Sequence, residues 1–254
     1  SNTLMDALRG RTQWQSFVAA HPYVVDFSKP FVDQFVQFLA AHMAALHQQK
    51  DDNLPSFFMS SFYWVQEAVE RNITGKAGGG GGWTHHPQTF ATHKYAVEQL
   101  LAQLVAQKTI CDPTEVLYLH MHGHEGSMVW AAFDAHGWTP DSTNRFYPSI
   151  WQHIIEGGDT DKAALLLRHR LWPQWTGKNK SHYQTYAHDA TLLHLVKTKK
   201  SLEVLKMLPV EVVQPLVAVV NSRGETGLHH AAAQLLPDYV SFLLQMGADK
   251  EVRS

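Results

Sequence analysis

Hydrophobic residues in the first half of the chain recur at intervals of three and four, a spacing that is typical of amphipathic helices. A proline at position 30 stands in the first turn of one such run. A second run follows Pro55, and a third extends from Thr92 to Gln107. The apolar positions of the first run are Phe31, Phe35, Phe38, Leu39, Met43 and Leu46. The pattern predicts an all-α N-terminal region over residues 1–125.

Two shorter signals refine this region. The stretch Asp112-Pro113-Thr114-Glu115 has a capping aspartate, a first-turn proline and a glutamate at the third helical position, so it predicts a short helix through His120. The glycine-rich segment 77–82 predicts a flexible loop, because glycine loses the most backbone entropy on ordering. It lacks the Lys-Ser/Thr pair of a phosphate-binding loop.

The second half of the chain repeats a pattern. Segments 149–167, 191–208 and 226–249 align without gaps, and each has a hydroxyl residue, a short helix, a polar turn and a longer amphipathic helix. Residues 126–145 supply a degenerate first helix of the same kind. The repeated unit is therefore predicted to be a helix, a turn and an antiparallel helix.

The repeats resemble the ankyrin family, whose pattern has a Thr-x-Leu-His start, small residues and a Gly-Ala-Asp exit. The middle repeat keeps Thr191, Leu193 and His194, whereas the first has Gln152 at the histidine position. The last repeat matches with Thr226, Leu228, His229, Ala231, Ala232, Leu243, Leu244, Gly247, Ala248 and Asp249. This resemblance implies a short α-solenoid within residues 126–254 of an all-α protein.

The repeat spacing points to an insertion. Thr191 and Thr226 lie 35 positions apart, whereas Ser149 and Thr191 lie 42 apart. The extra residues fall in segment 168–189, where two aromatic stretches flank the turn-rich sequence Thr-Gly-Lys-Asn-Lys. This arrangement predicts an inserted β-hairpin.

The histidines of the repeats have a structural interpretation. Thr226 stands where its hydroxyl can cap a helix, and His229 follows in the first turn, beside exposed backbone N–H groups. The same spacing joins Thr191 to His194. In the ankyrin family this histidine bonds around the threonine and the next loop, so the resemblance implies structural roles for all four residues.

Two other features are candidates for chemistry. The sequence His-Met-His-Gly-His-Glu, residues 120–125, gathers metal-ligand types, but a short helix ending near Gly123 would scatter them. Cys111 is the only cysteine and is interpreted as a packing residue beside a helix cap. We therefore expect no catalytic residue, no metal and no cofactor.

The alternative is a Cys/His or metal-dependent hydrolase whose active site lies in or next to the N-terminal region, with the repeats used for targeting.

Composition constrains the expected cellular location and the expected binding partners. The net charge is −2 at pH 7, which gives no global reason to expect nucleic acid or anionic membrane as the main partner. No apolar run reaches the roughly eighteen residues of a membrane-spanning helix, and a single cysteine fits a reducing cytosol. We expect a soluble cytoplasmic protein. RNA binding through the local basic stretch 168–206 stays a lesser alternative.

Ankyrin resemblance implies protein binding through loop tips and first-helix positions, to which Asn221 and Glu156 belong. Aromatic and basic residues of the hairpin add the residue types that dominate binding hot spots. The predicted partner-binding residues are Trp175, Lys178, Lys180, Tyr183, Tyr186, Lys197, Arg223, Glu225 and Gln234. Degenerate repeats joined to an unfamiliar helical region also resemble secreted ankyrin effectors of intracellular bacteria, which act in the host cytosol. The sequence names neither the partner nor the oligomeric state.

Overall fold

The computed structural model describes residues 29–74, 87–109, 111–173 and 191–251, and every regular element in these ranges is a helix. The all-α expectation is therefore confirmed for this part of the chain. None of its helices is long and apolar enough to cross a membrane. The chain divides into two compact units: unit one holds residues 1–116 and 122–138, and unit two holds 117–121 and 139–254.

In the described part of unit one, α1, α2 and α3 pack against one another and α5 packs on α3. The apolar positions predicted from periodicity face its core: Leu39 and Met43 of α1 and Leu100 of α3 are fully buried. Phe58, Phe62, Phe133 and Trp138 form an aromatic cluster in the same core. The helices are α1 (Lys29–Gln48), α2 (Leu54–Thr74), α3 (Pro87–Ala106) and α5 (Gly123–Ala135).

The short helix α4 spans Thr114–Leu119 and begins where the sequence placed it. The Asp112 carboxylate accepts a hydrogen bond of 2.9 Å from the Thr114 N–H, which satisfies a donor at the start of the helix. The next helix, α5, begins at Gly123, so the domain boundary expected between residues 125 and 126 lies inside a continuous helix of unit one. No second helix follows α5 before residue 147.

Unit two is a succession of short helices that pack on their neighbours. α6 and α7 pack together and α8 packs on both, while the 3₁₀ helix Leu192–His194 packs on α10 and α10 packs on α11. A short connection, α9 with a 3₁₀ turn at Gln214–Leu216, links α8 to the loop before α10. The α-helices are α6 (Tyr147–Gly157), α7 (Thr160–Arg168), α8 (Lys199–Met207), α9 (Val210–Val213), α10 (Gly227–Ala233) and α11 (Pro237–Gln245).

Two glycines allow close approaches within unit two. Gly158 ends α6 with φ of 66°, and a Cβ there would overlap the Cβ of Lys200 at the start of α8. Gly227 begins α10 directly against Leu193, where an added Cβ would lie 2.7 Å from the Leu193 Cβ. Both positions therefore need a residue without a side chain.

The predicted hairpin is not confirmed. Helix α7 ends at Arg168, and residues 169–173 form a turn and coil rather than a strand. The backbone carbonyl of Trp172 accepts a hydrogen bond of 2.9 Å from the Tyr147 hydroxyl, which ties this coil to α6. The rest of the predicted hairpin lies outside the described residues, as does the glycine-rich loop 77–82. Five predicted binding residues lie there too: Trp175, Lys178, Lys180, Tyr183 and Tyr186.

A pair of glycine substitutions tests the close approach at α10. Gly227→Ala should lower the free energy of unfolding by about 1–3 kcal/mol, because the new methyl group overpacks a filled contact. Gly157→Ala is the matched control, since a Cβ at the end of α6 meets nothing within 4 Å. It should be neutral or stabilising, by up to about 1 kcal/mol. Urea unfolding measures both, and equal effects would contradict the assignment.

Candidate functional site

Segment 191–196 is held in shape by a threonine and a histidine. The Thr191 N–H donates to Nδ1 of His194 at 3.1 Å, and the Thr191 hydroxyl accepts from the Leu193 N–H at 3.2 Å. Because Nδ1 is an acceptor, the ring proton is on Nε2. Nε2 lies 2.9 Å from the carbonyl oxygen of Glu225 and donates to it. His194 therefore connects its own turn to the loop before α10.

Two more side chains cross between the same segments. Nε2 of His230 donates to the Val196 carbonyl at 3.0 Å, and the Tyr239 hydroxyl donates to the Leu193 carbonyl at 2.6 Å. The rings of His194 and His230 are 5.9 Å apart between centroids. We call the contacts of residues 191–196 with Glu225, Gly227, His230 and Tyr239 the seam.

Sequence reasoning anticipated only part of the seam. It assigned a structural role to His194 but none to His230, whose ring is half-buried and hydrogen-bonded. Tyr239 was not singled out. The repeat alignment carried no signal for these two residues, because the middle repeat has Leu195 and Val204 at the corresponding positions.

The seam favours neutral histidines. Burial lowers the pKa of His194 below its ordinary value, and Glu225 opposes this through its backbone hydrogen bond. Burial likewise lowers the pKa of His230, and the nearby Lys197 charge lowers it further. Burial raises the pKa of the Tyr239 hydroxyl, which stays protonated and so remains a donor. All three rings therefore keep, at neutral pH, the protonation that their hydrogen bonds require.

The loop 221–225 is fixed by one asparagine. Oδ1 of Asn221 accepts from the backbone N–H groups of Arg223 at 2.9 Å and Glu225 at 3.0 Å. Its Nδ2 donates to the Glu225 carboxylate at 2.9 Å, and this bond lowers the pKa of Glu225. The side chain of Arg223 is exposed at the tip. The loop thus presents a cation on a preformed backbone that His194 attaches to the seam.

Some of the other predicted binding residues of unit two lie near this loop. Lys197 is exposed and its Nζ lies 3.2 Å from the Glu156 carboxylate. Glu156 and Glu225, which the sequence placed among exposed positions, are half-buried, whereas Gln234 is exposed at the end of α10. The charges of Lys197 and Glu225 act in opposite directions on the pKa of His230: Lys197 lowers it and Glu225 raises it.

The pair Thr226 and His229 repeats the arrangement of Thr191 and His194. The Thr226 N–H donates to Nδ1 of His229 at 3.1 Å, and its hydroxyl lies 2.8 Å from the same atom. Nε2 of His229 therefore carries the ring proton. Among the described residues, no acceptor lies on this Nε2, and the ring is half-exposed.

The alternative catalytic residues are in unfavourable environments. Burial raises the pKa of the Cys111 thiol to about 11, the opposite of the shift that activates a cysteine nucleophile. Burial lowers the pKa of His120 to about 4, which keeps its ring neutral. His122 is exposed, and the side chains of His124 and Glu125 are not described. Within the described ranges, no three or more His, Cys, Asp or Glu side chains are grouped to hold a metal.

Unit one contains an open groove that the sequence did not predict. It has a volume of about 680 Å³ and lies between α3 and α5. Met128 and several alanines line it, together with the ion pair of Lys94 and Glu98, whose charged atoms are 4.0 Å apart. Helix periodicity locates α3, and the repeat pattern gave a degenerate helix within residues 126–145, but neither locates the gap between α3 and α5.

Comparison with known proteins gives no relative: no protein-family model, curated protein or solved structure matches the chain. The ankyrin assignment therefore stays a prediction that rests on the repeat pattern.

The seam predicts a dependence of stability on pH. Folding lowers the pKa of His194 and His230 below the ordinary 6.5, so the unfolded chain binds protons first as the pH falls. Above pH 6.5 these two histidines should therefore not reduce the free energy of unfolding. As the pH drops below 6.5, they should reduce it progressively. Urea unfolding of the His194→Gln/His230→Gln variant should show a shallower decrease between about pH 7.5 and 5. The exposed His47→Gln is the control, and an unchanged slope in the double variant would contradict the prediction.

Proposed function

We propose that this chain is a protein-interaction module, and that unit two is an ankyrin-type stack of helical hairpins binding a partner protein through its loop and first-helix side. The observation that carries the proposal is the preformed loop 221–225. Asn221 fixes its backbone, His194 attaches it to the seam, and Arg223 stands exposed at its tip. A binding loop that is already ordered loses little conformational entropy when a partner docks.

Charge around the loop supports recognition rather than catalysis. Lys197 with Glu156 and Arg223 with Glu225 place both signs of charge near one another. Complementary charges give selectivity and faster association more than raw affinity. We therefore assign Lys197, Arg223, Glu225 and Gln234 to the partner contact, as expected from the sequence.

The remaining parts of the proposal rest on sequence alone. Trp175, Tyr183 and Tyr186 are proposed as aromatic anchors, and Lys178 and Lys180 as basic contacts, in the segment after α7. The cytoplasm, or the host cytosol for a secreted effector, is proposed as the site of action. A protonated Cys111 and a neutral His120 do not favour the alternative enzyme function.

Charge reversal at the loop side tests the proposal. The Lys197→Glu/Arg223→Glu variant should lose partner recovery by about tenfold or more, because two complementary contacts become repulsive. Lys206→Glu is the matched control, since Lys206 is an exposed lysine of α8 paired with Glu203. Recovery is measured by photo-crosslinking from Gln234 in cytosolic extract followed by mass spectrometry. Equal recovery for both variants would remove this side from the binding surface.

A strained leucine supplies a second test. In the part of the chain that the structure describes, four helices end in the same kind of turn with a non-glycine residue at positive φ: Lys50, Lys108, Arg170 and Leu235. The three basic residues interact favourably with the negative end of the helix dipole, whereas Leu235 has no charge and is 86% exposed. A strained and exposed apolar side chain is a feature of binding sites. We therefore add Leu235 to the proposed contact.

Leu235→Gly should move stability and binding in opposite directions. Glycine relieves the left-handed backbone, so the free energy of unfolding should rise by about 1 kcal/mol, while partner recovery in the crosslinking assay should fall. Lys108→Gly, at the same turn position in unit one, is the control that relieves a similar strain and should leave recovery unchanged. Improved stability with full recovery in Leu235→Gly would assign the leucine no role in binding.

A further inference from the structure

The seam divides the proposed contact into two parts. Lys197 lies directly after segment 191–196, whereas the other contact residues described in unit two lie in the loop 221–225 and at or after the end of α10. We propose that acidification opens the seam, moves these two parts away from each other and so releases the partner protein. The inference rests on the proposed function, because it states how that contact is regulated. It concerns a local opening, which is distinct from the dependence of overall stability on pH.

Side chains, rather than backbone pairing, join the two sides of the seam. His194, His230 and Tyr239 each donate one hydrogen bond to a backbone carbonyl on the opposite side. Among the backbone hydrogen bonds of the described residues, none joins segment 191–196 to residues 221–245. Opening therefore breaks few polar contacts, and two of the three donors are histidines, which titrate in mild acid.

The His194 ring has no free position for a second proton. Its Nδ1 accepts from the Thr191 N–H at 3.1 Å, and its Nε2 donates across the seam. A proton added at Nδ1 takes the lone pair that this N–H binds. The Thr191 hydroxyl, 3.0 Å from Nδ1, accepts the added proton but leaves the N–H without an acceptor. Because Thr191 is 1% exposed, the closed seam then holds a buried, unsatisfied donor.

The two histidine rings also acquire charge close to each other. Their centroids are 5.9 Å apart. Burial lowers the pKa of both rings, and a charge on His230 lowers the pKa of His194 further. Glu225 raises the pKa of both, whereas Lys197 lowers that of His230. From α11, the neutral Tyr239 hydroxyl faces the same segment. A single carboxylate among these groups therefore opposes two charged rings and a lysine.

The direction of the effect follows from which state binds protons better. A histidine of the open seam regains the ordinary pKa of 6.5, whereas the closed seam holds it lower. Below pH 6.5 the open seam therefore binds protons first, and each histidine increases the opening constant by up to about tenfold per pH unit. Glu225 stays ionised in this range, because the Asn221 hydrogen bond and the charges of Arg223 and the nearby histidines lower its pKa.

Spin labels at positions 199 and 222 measure the opening without a partner. Lys199 and Ser222 are both exposed and lie on opposite sides of the seam. Cys111 is the only cysteine and is replaced by serine, so that the labels attach to the introduced cysteines. One short separation should dominate at about pH 7.5, and about a tenth or less of it should remain at about pH 5. The helical circular dichroism should be retained, because the opening is local.

Two histidine variants identify the groups that respond. His194→Gln/His230→Gln should keep the short separation in acid, since its seam has no histidine to protonate. His229→Gln is the matched control, because His229 accepts from the Thr226 N–H but makes no bond across the seam among the described residues. Its acid opening should persist. The chain with its native histidines decides by itself if the double variant does not fold: an unchanged separation, or one that increases only as the helical signal disappears, overturns the proposal.

Partner recovery by crosslinking from Gln234 gives a second readout. For the unaltered chain it should fall about tenfold or more between about pH 7.5 and 5, and the double histidine variant should keep it. An equal fall in both would assign the acid effect to the partner and overturn the regulation. Failure of the proposed function gives a different result: Lys197→Glu/Arg223→Glu would then recover the partner as fully as its control at neutral pH, while the labels still respond to acid.

Discussion

The close approach of Gly227 to Leu193 is the constraint on which the rest of unit two depends. A side chain at position 227 would hold α10 away from segment 191–196, and the hydrogen bonds of His194, His230 and Tyr239 all span that distance. Hydrogen bonds weaken steeply with separation, so these three would be lost together. Close packing of Gly227 against Leu193 is therefore a precondition for these hydrogen bonds. The hydrogen bonds in turn fix how α10 and α11 are aligned against segment 191–196.

The two histidines of the seam are held by the same close packing. His194 and His230 direct their protons at backbone carbonyls, and burial keeps both rings neutral. The His194 ring both accepts at Nδ1 and donates from Nε2, so it has no lone pair left for a substrate or a metal. Its bond to Glu225 also holds the loop 221–225 in place, so the stability of the seam and the shape of this loop have one cause.

The sequence predicted local features better than contacts between segments. Periodicity located α1, α2 and α3, although α3 begins at Pro87 rather than Thr92 because its first turn carries no apolar pattern. The Thr-x-x-His spacing identified His194, since its threonine bond is local. His230 and Tyr239 bond to carbonyls 34 and 46 positions away, and a carbonyl has no sequence signature. Glu156 likewise contacts Lys197, which lies 41 positions away and outside the helices.

Leu235 departs from a local rule that three other helix ends follow. Lys50, Lys108 and Arg170 follow their helices with a charge that suits the helix dipole, whereas Leu235 places an exposed apolar group at the same turn position after α10. This leucine does not improve the local energy of its own helix. Because proteins depart from local rules at functional sites, Leu235 is the position of the described part of unit two where local energy gives the least reason for the residue, and this agrees with its place in the proposed contact.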